Sequence, residues 1–211
     1  MEEPIESALK SPAQLEVARL QDLIIQLVTD NTSAVLHGGT AIWRCYDGKR
    51  FSEDIDLYVR KETDLKKLVN RIAQSGLHIT FNRERRGTSY YDVSDGLTDL
   101  SLQAKINKSK GILASYGKTN GVKIEVYSLS PEILMLEKID AYSDRGFIRD
   151  VYDMMILAKQ VTGKEQLIKP LRAFLSGIQN PKDENILKNL VYSGPIPSFA
   201  DIISYLKRWC S

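Results

Sequence analysis

The chain has 211 residues, 43% hydrophobic and 27% charged, with a net charge of +2. That is enough apolar material for a real core in one domain or two small ones, and the small charge gives no global field for nucleic acid, so any basic patch is local. Cys45 and Cys210 fit no metal spacing and read as thiols in a reducing compartment. With no signal peptide and no apolar stretch of about 18 residues, the expected location is the cytoplasm, away from membranes.

Met1 to Lys10 is polar and expected to be loosely held. Ser11-Pro12-Ala13-Gln14 starts a helix, with Ser11 as cap, Pro12 at the first position and Gln14 completing a capping box. This helix is predicted to run to about Thr29 and to pack an apolar face of Leu15, Ala18, Leu23, Ile24 and Leu27 on a sheet. It carries no assigned chemistry.

Ser33 to Arg60 organises the chain. Ala34-Val35-Leu36 reads as a short buried strand. His37-Gly38-Gly39-Thr40 turns the backbone, and Thr40 to Arg44 opens a helix whose free N–H groups suit a phosphate. Phe51 to Val59 is the predicted second strand. Strand side chains alternate, so Asp54 and Asp56 aim to one face while Ile55 and Leu57 aim to the other. Two carboxylates that share a face repel unless a cation lies between them. Oxygen ligands of this kind suit Mg2+ or Mn2+. A phosphate seat beside a divalent-metal pair is what nucleotidyl transfer requires.

The run Gly38-Gly39-Thr40-Ala41, then Arg50, then Ser52-Glu53-Asp54-Ile55-Asp56-Leu57 resembles the AbiEii/AbiGii toxin nucleotidyltransferases of the DNA polymerase β-like superfamily. The resemblance implies an α/β (α+β) nucleotidyltransferase fold: a mixed, partly antiparallel sheet flanked by helices, with a C-terminal helical subdomain. The expected boundaries are 1–130 for the catalytic domain and 131–211 for a helical subdomain packed against it. It implies an NTP substrate, a phosphate cradle of Gly38, Gly39 and Thr40, and nucleotide-binding roles for Arg50 and Ser52.

After the acidic pair, Thr63 to Ser75 reads as a helix stopped by Gly76, with Lys66, Lys67 and Arg71 on a solvated face. From Leu77 to Ser128 the pattern turns to strands: 77–81, 89–93, 100–106 and 122–127, with turns at Ser94-Asp95-Gly96 and Thr119-Asn120-Gly121. His78 reads as a strand residue. In Lys123-Ile124-Glu125-Val126-Tyr127, Glu125 lies mid-strand on the polar face. If that strand lies beside the Asp54/Asp56 strand, Glu125 supplies a third carboxylate. The superfamily resemblance then implies a base or metal-ligand role for it; an exposed Glu paired with a base is the other reading. Arg83-Glu84-Arg85-Arg86-Gly87, with Lys105, Lys108, Lys110 and Lys118, offers contacts to RNA phosphates, and Tyr90 and Tyr91 offer stacking surfaces. Ordinary basic hairpin tips account for the same residues.

Ser130-Pro131-Glu132 opens the next helix. Lys138, Arg145 and Arg149 fall on one face if the helix continues past Gly146. Here too the chain resembles the AbiEii family: a helical Lys138, then Arg145, then Arg149-Asp150-Val151-Tyr152-Asp153. This implies that Lys138 contacts nucleotide phosphates, that Arg149 helps bind nucleotide, and that Asp150 or Asp153 has an active-site role. A charged helix face held by an Arg149–Asp153 pair is the plainer alternative. The C-terminal fifty residues read as helices over 164–178, 183–192 and 198–209, with Ser198 as a cap.

These readings lead to a Mg2+-dependent nucleotidyltransferase with Asp54, Asp56 and Glu125 at the metal. The family resemblance adds a cognate antitoxin and an RNA acceptor such as a tRNA 3′ end. An aminoglycoside-modifying enzyme and a non-catalytic nucleotide-binding regulator are the competing readings.

Overall fold

The structure, a computed structural model, describes residues 4–9, 11–31 and 33–211. Met1–Glu3 and Lys10 of the expected loose start lie outside the described residues. The described part of that stretch is held. Ile5–Ala8 forms a helical turn (α1), Leu9 is buried, and the Glu6 N–H donates to the Thr119 carbonyl at 3.1 Å. The long helix α2, Pro12–Asn31, begins where its capping signal stands, with Ser11 Oγ accepting from the Gln14 N–H at 3.4 Å. Its buried side is rotated from the expected one. Ala18, Gln21, Asp22, Ile24, Ile25 and Val28 are buried, while Leu23 is 44% exposed.

The chain divides into two compact units, one comprising residues up to Cys45 with Phe51–Leu129, the other Tyr46–Arg50 with Ser130–Ser211. In the first, β1 (Val35–His37) runs straight into α3 (Gly38–Cys45). Then follow β2 (Ile55–Val59), α4 (Glu62–Gln74), β3 (His78–Arg85), β4 (Thr88–Ser94), β5 (Asp99–Ile106), β6 (Ile112–Gly117) and β7 (Lys123–Ser128). Among the described residues these strands make one seven-stranded sheet in the order β3-β4-β5-β2-β1-β7-β6. β2 pairs with β5 and β1 with β7 in parallel; the remaining pairs are antiparallel. The mixed, helix-flanked sheet expected from the motif is therefore present. β2 is shorter than expected, because Phe51 to Asp54 is loop. β6 had no signal in the sequence, since its residues do not alternate cleanly between polar and apolar.

Residues directly opposite on neighbouring strands share a face of the sheet. The pairs Leu36–Leu57, Ile55–Leu102, Leu57–Ala104 and Val93–Leu100 therefore define an apolar face, and all these residues are buried. Helices α2 and α4 pack against the sheet, with Leu65, Leu68 and Ile72 of α4 buried. The opposite face carries His37, Asp56, Gln103 and Tyr90 in register. β3 and β4 are joined by Arg86 and Gly87, at φ +52° and +73°. Two positive φ values in succession make the mirror-image turn that matches strand twist.

In the second unit, α5 (Pro131–Arg145) is capped by Ser130, whose side chain accepts from the Ile133 N–H. Gly146, at φ +67°, ends it, so the helix does not continue into α6 (Ile148–Leu157). Then come α7 (Glu165–Gly177), a 3-10 turn at Glu184–Ile186, α8 (Leu187–Leu190) and α9 (Phe199–Trp209). The single helix expected over 183–192 is thus a 3-10 turn followed by one short helix. A capping box of Ser198 and Asp201 opens α9. Leu167, Leu171, Ile202 and Leu206 are buried within this unit. Among the described residues, no helix is long and apolar enough to cross a membrane.

Candidate active site

Around the acidic pair, burial alternates. Ile55, Leu57 and Val59 are buried, whereas Asp54, Asp56 and Tyr58 are half-buried. The alternation puts Asp56 on the polar face, with Asp54 in the loop just ahead of the strand. Asp56 stands opposite His37, the residue before the glycine bend. Gly38 adopts φ +71°, and a Cβ built there would lie 2.0 Å from Asp56 Oδ2 and 2.9 Å from its Cγ. The bare glycine thus leaves the space the Asp56 carboxylate fills, at the N-terminus of α3, where a negative charge is favoured. His37 also stacks on Tyr58, ring centroids 3.8 Å apart, flanking Asp56 on the same face.

The loop that delivers Asp54 is held from two sides. Gln21, fully buried on α2, donates from Nε2 to the Ser52 carbonyl at 2.8 Å and the Glu53 carbonyl at 2.9 Å. Thr40 Oγ1 donates to the Asp54 carbonyl. Three consecutive carbonyls are therefore fixed by side chains. Thr40 and Ser52, expected to touch phosphate, thus have their first roles in fixing this loop: Thr40 through its hydroxyl, Ser52 through its backbone. Gln21 had been assigned no chemistry. A polar residue on the buried side of an amphipathic helix was the available signal.

α3 itself is anchored at its far end. Arg44 is buried between the rings of Trp43 and Tyr116, 4.5 and 4.9 Å from their centroids. Its guanidinium donates to Asp22 Oδ1, to the Tyr116 hydroxyl at 3.0 Å and to the Ala18 carbonyl at 3.2 Å. Asp22 also accepts from the Thr119 N–H and hydroxyl, each at 2.8 Å. Burial pushes the Cys45 thiol at the end of α3 up to about 12, against the opposing pull of Arg44.

Glu125 does not join the aspartates. The expectation rested on β7 lying beside β2, but β1 intervenes. Leu36 pairs in parallel with Ser128, which places Glu125 level with residue 33, at the end of β1 remote from the bend. Counted along the strand, Glu125 sits about four residues, or ~13 Å, from the level of Asp56. It is exposed and stands opposite Ser115 on β6. The strand next to β2 is β5, which places Gln103 opposite Asp56. Among the described residues, no group of three or more His, Cys, Asp or Glu side chains is arranged to hold a metal. The carboxylate that meets the glycine bend is that of Asp56, with Asp54 two residues before it in the chain.

The remaining candidates form a buried ion network within the helical unit. Asp153 accepts from Arg50 Nε at Oδ1 (2.6 Å) and from Arg50 Nη2 at Oδ2 (2.7 Å), and Lys138 Nζ lies 2.7 Å from the same Oδ2. Asp150 accepts from Arg145 Nε and Nη2 at 2.8 and 2.7 Å, with Lys138 at 3.3 Å. Lys138, Arg50, Asp150 and Asp153 are all buried. Burial alone would raise Asp153, but Arg50 and Lys138 more than offset it and hold the carboxyl below its usual range. The same attraction outweighs burial at Arg50 and raises it. The helix ends at Gly146, so the expected stripe is not continuous: Lys138 and Arg145 converge on Asp150, and Arg145 and Arg149 both lie over the Phe147 ring, at 5.6 and 5.4 Å. Asp153 takes Arg50 and Lys138 as partners, so the Arg149–Asp153 pair considered from the sequence gives way to this network.

The fold and the acidic pair beside a glycine bend now admit comparison with known proteins. The solved structure of MenT4, a nucleotidyltransferase toxin from Mycobacterium tuberculosis H37Rv, superposes with a TM-score of 0.67 at 15% identity, covering 97% of this chain and 86% of that one. JHP933 from Helicobacter pylori superposes with a TM-score of 0.65 at 21% identity, covering 95% and 91%. These likenesses establish the fold. Residues 20–90 match the family described as "Nucleotidyl transferase AbiEii toxin, Type IV TA system". The matched segment takes in Gln21, the glycine bend and both aspartates. No curated protein matches the chain.

Proposed function

We propose that the chain moves a nucleoside monophosphate from an NTP to a hydroxyl of an RNA acceptor, as the toxin of a type IV toxin–antitoxin pair. One observation carries this reading: the Asp56 carboxylate occupies the space left open by Gly38, at the start of a helix, with Asp54 two residues before it in the chain. The residues present fit a hard divalent cation, because the face offers oxygen donors and the bend leaves them room. Asp54 and Asp56 would hold it, and when bound it neutralises triphosphate charge and favours the hydroxyl as nucleophile. Gly38, Gly39 and Thr40 seat phosphate at the α3 N-terminus through backbone N–H groups. The acceptor oxygen attacks the α-phosphorus in line, its bond to phosphorus forms as the α–β bridging bond breaks, and pyrophosphate leaves.

In this reading the network of Arg50, Lys138, Arg145, Asp150 and Asp153 holds the helical unit together. Lys138 already satisfies two carboxylates. A separate antitoxin protein is the expected partner.

The test is incubation of the purified chain with each labelled NTP, Mg2+ and total RNA. Label on RNA, lost with Asp54→Asn or Asp56→Asn, supports the proposal. Label on an aminoglycoside and not on RNA would transfer the assignment to small-molecule modification. Nucleotide binding without transfer to any acceptor would make the chain a regulator.

A further inference from the structure

The polar face of the sheet continues well past the aspartates. Register links Asp56 to Gln103 on β5, Gln103 to Tyr90 on β4, and Tyr90 to Arg83 on β3. A second row, displaced by two residues, runs from Tyr58 through Lys105 and Thr88 to Arg85. Strands lie about 4.8 Å apart, so Tyr90 stands ~10 Å and Arg83 ~14 Å from the Asp56 position. Charge on this face is segregated. Lys105, Arg83 and Arg85 sit at the end shared with Asp56 and Tyr58, while Asp92 and Asp99 sit toward the other end. The Arg83 guanidinium lies over the Tyr90 ring, 4.7 Å from its centroid, so the two form one cation–aromatic stack, the platform for a base. Lys105, Arg83 and Arg85 are exposed, and Tyr90 and Gln103 are half-buried.

Edge protection explains charge on β3, which is an outer strand. It does not explain Lys105, Gln103 and Tyr90, which lie on interior strands. Nor does it explain Arg86 at φ +52° in the β3–β4 turn, where Asn or Gly would cost less. A long cationic side chain is kept there against backbone preference. Flat aromatic and guanidinium surfaces with cations beside them fit bases and phosphates of a single strand.

We propose that the β5–β4–β3 half of this face is the acceptor track. The single-stranded 3′ end of an RNA places its terminal hydroxyl at Asp54 and Asp56. The preceding nucleotides cross Gln103, a base stacks on the Arg83–Tyr90 platform, and Lys105, Arg85 and Arg86 take phosphates. The inference rests on the RNA reading above and names the residues that serve it.

The experiment uses the full chain and a fluorescein-labelled single-stranded oligoribonucleotide, read by anisotropy over a salt series, beside transfer from labelled NTP to the same oligomer. Tyr90→Leu is expected to weaken binding about tenfold, as loss of one stacked base does. Arg85→Ala and Lys105→Ala each flatten the dependence of log K on log salt by about one contact. All three raise the KM for RNA and leave the KM for NTP unchanged. Lys67→Ala, an exposed base on α4, serves as the control and changes neither. Arg85 is exposed, so its variant folds even if Tyr90→Leu does not. If the wild type labels RNA and all three variants bind and label it equally well, the track is refuted and the transferase reading stands. If the wild type neither binds nor labels RNA but uses another acceptor, the RNA reading fails and the track with it. If the variants instead lose binding to a co-expressed acidic antitoxin and keep RNA transfer, the face is a protein interface and the inference is overturned.

Discussion

Gly38→Ala isolates the contact on which the catalytic reading depends. Two effects separate cleanly. Gly38 sits at φ +71°, where an L side chain costs about 1–2 kcal/mol. For a domain of this size, that lowers Tm by about 2–8 °C. The added methyl also lies 2.0 Å from Asp56 Oδ2. Ordinary contact is ~3.5 Å, so the carboxylate must retreat by more than ~1 Å. It is the end of a side chain and swings away at little further cost in stability. Displacement of that order at a reacting centre costs about 100-fold in rate. Gly76→Ala is the matched control: φ there is +90° and nothing lies within 4 Å of the added methyl. The assay pairs thermal unfolding with initial rates of labelled nucleotide transfer for both variants. Similar Tm losses are expected, with transfer collapsing only in Gly38→Ala. Full activity in Gly38→Ala, or an equal activity loss in both, would refute the placement of Asp56 at the working centre.

Gln21→Leu should lower kcat by about tenfold or more and raise the Mg2+ concentration needed for half-maximal rate, because Ser52 and Glu53 lose their tether; an unchanged Mg2+ dependence would reduce Gln21 to a packing residue. Asp153→Asn should cost about 3–5 kcal/mol at neutral pH, since it removes the carboxylate that Arg50 grips with both nitrogens and leaves Lys138 with Asp150 alone. The Asp153 carboxyl lies below its unfolded value of about 3.9, so the wild type keeps this contribution above that pH and loses it as pH falls further. The gap between wild type and variant in denaturant melts should therefore be constant from neutral pH down to about 4 and narrow only below that. Cys45, with its thiol held up near 12, should resist alkylation in the native protein at mildly alkaline pH and react once denaturant is added.

The legible part of this protein is the part in which chemistry and local geometry coincide. A positive-φ glycine and an outward-facing strand aspartate are both short-range facts, one set by the absence of a Cβ and the other by strand alternation. The bend was readable at Gly38 and the alternation at Asp56, whereas Asp54 falls in the loop ahead of the strand. What failed depended on strand order and register. Glu125 does lie mid-strand with an outward side chain, but whether it meets Asp56 is decided by β1 inserting between β7 and β2. No pattern within the Lys123–Tyr127 stretch encodes that neighbour. Lys138, Arg145 and Arg149 failed as a stripe because a single left-handed residue at Gly146 redirects the chain. Gln21 was overlooked for the converse reason: its partners are backbone carbonyls, which every sequence has and none advertises.

The buried network gives the helical motif a physical reason that does not require contact with substrate. Arg50, Lys138 and Arg145 carry three positive charges against the two of Asp150 and Asp153. Arg145 is partly exposed, so the four buried charges of Arg50, Lys138, Asp150 and Asp153 balance, and the carboxylate oxygens are shared between donors. Arg50 belongs to the Tyr46–Arg50 segment that joins the helical unit although it precedes β2 in the chain. Its bidentate grip on Asp153, together with the Arg50–Val191 bridge, pins that segment to the helices. The segment leads directly into the loop that Gln21 and Thr40 hold. The charged motif therefore acts on the fold of the helical unit. On this account, variants of Asp153 lower the stability of that unit in denaturant melts, and Arg50→Lys, which keeps the charge but loses the bidentate fork, should be as damaging as Arg50→Ala.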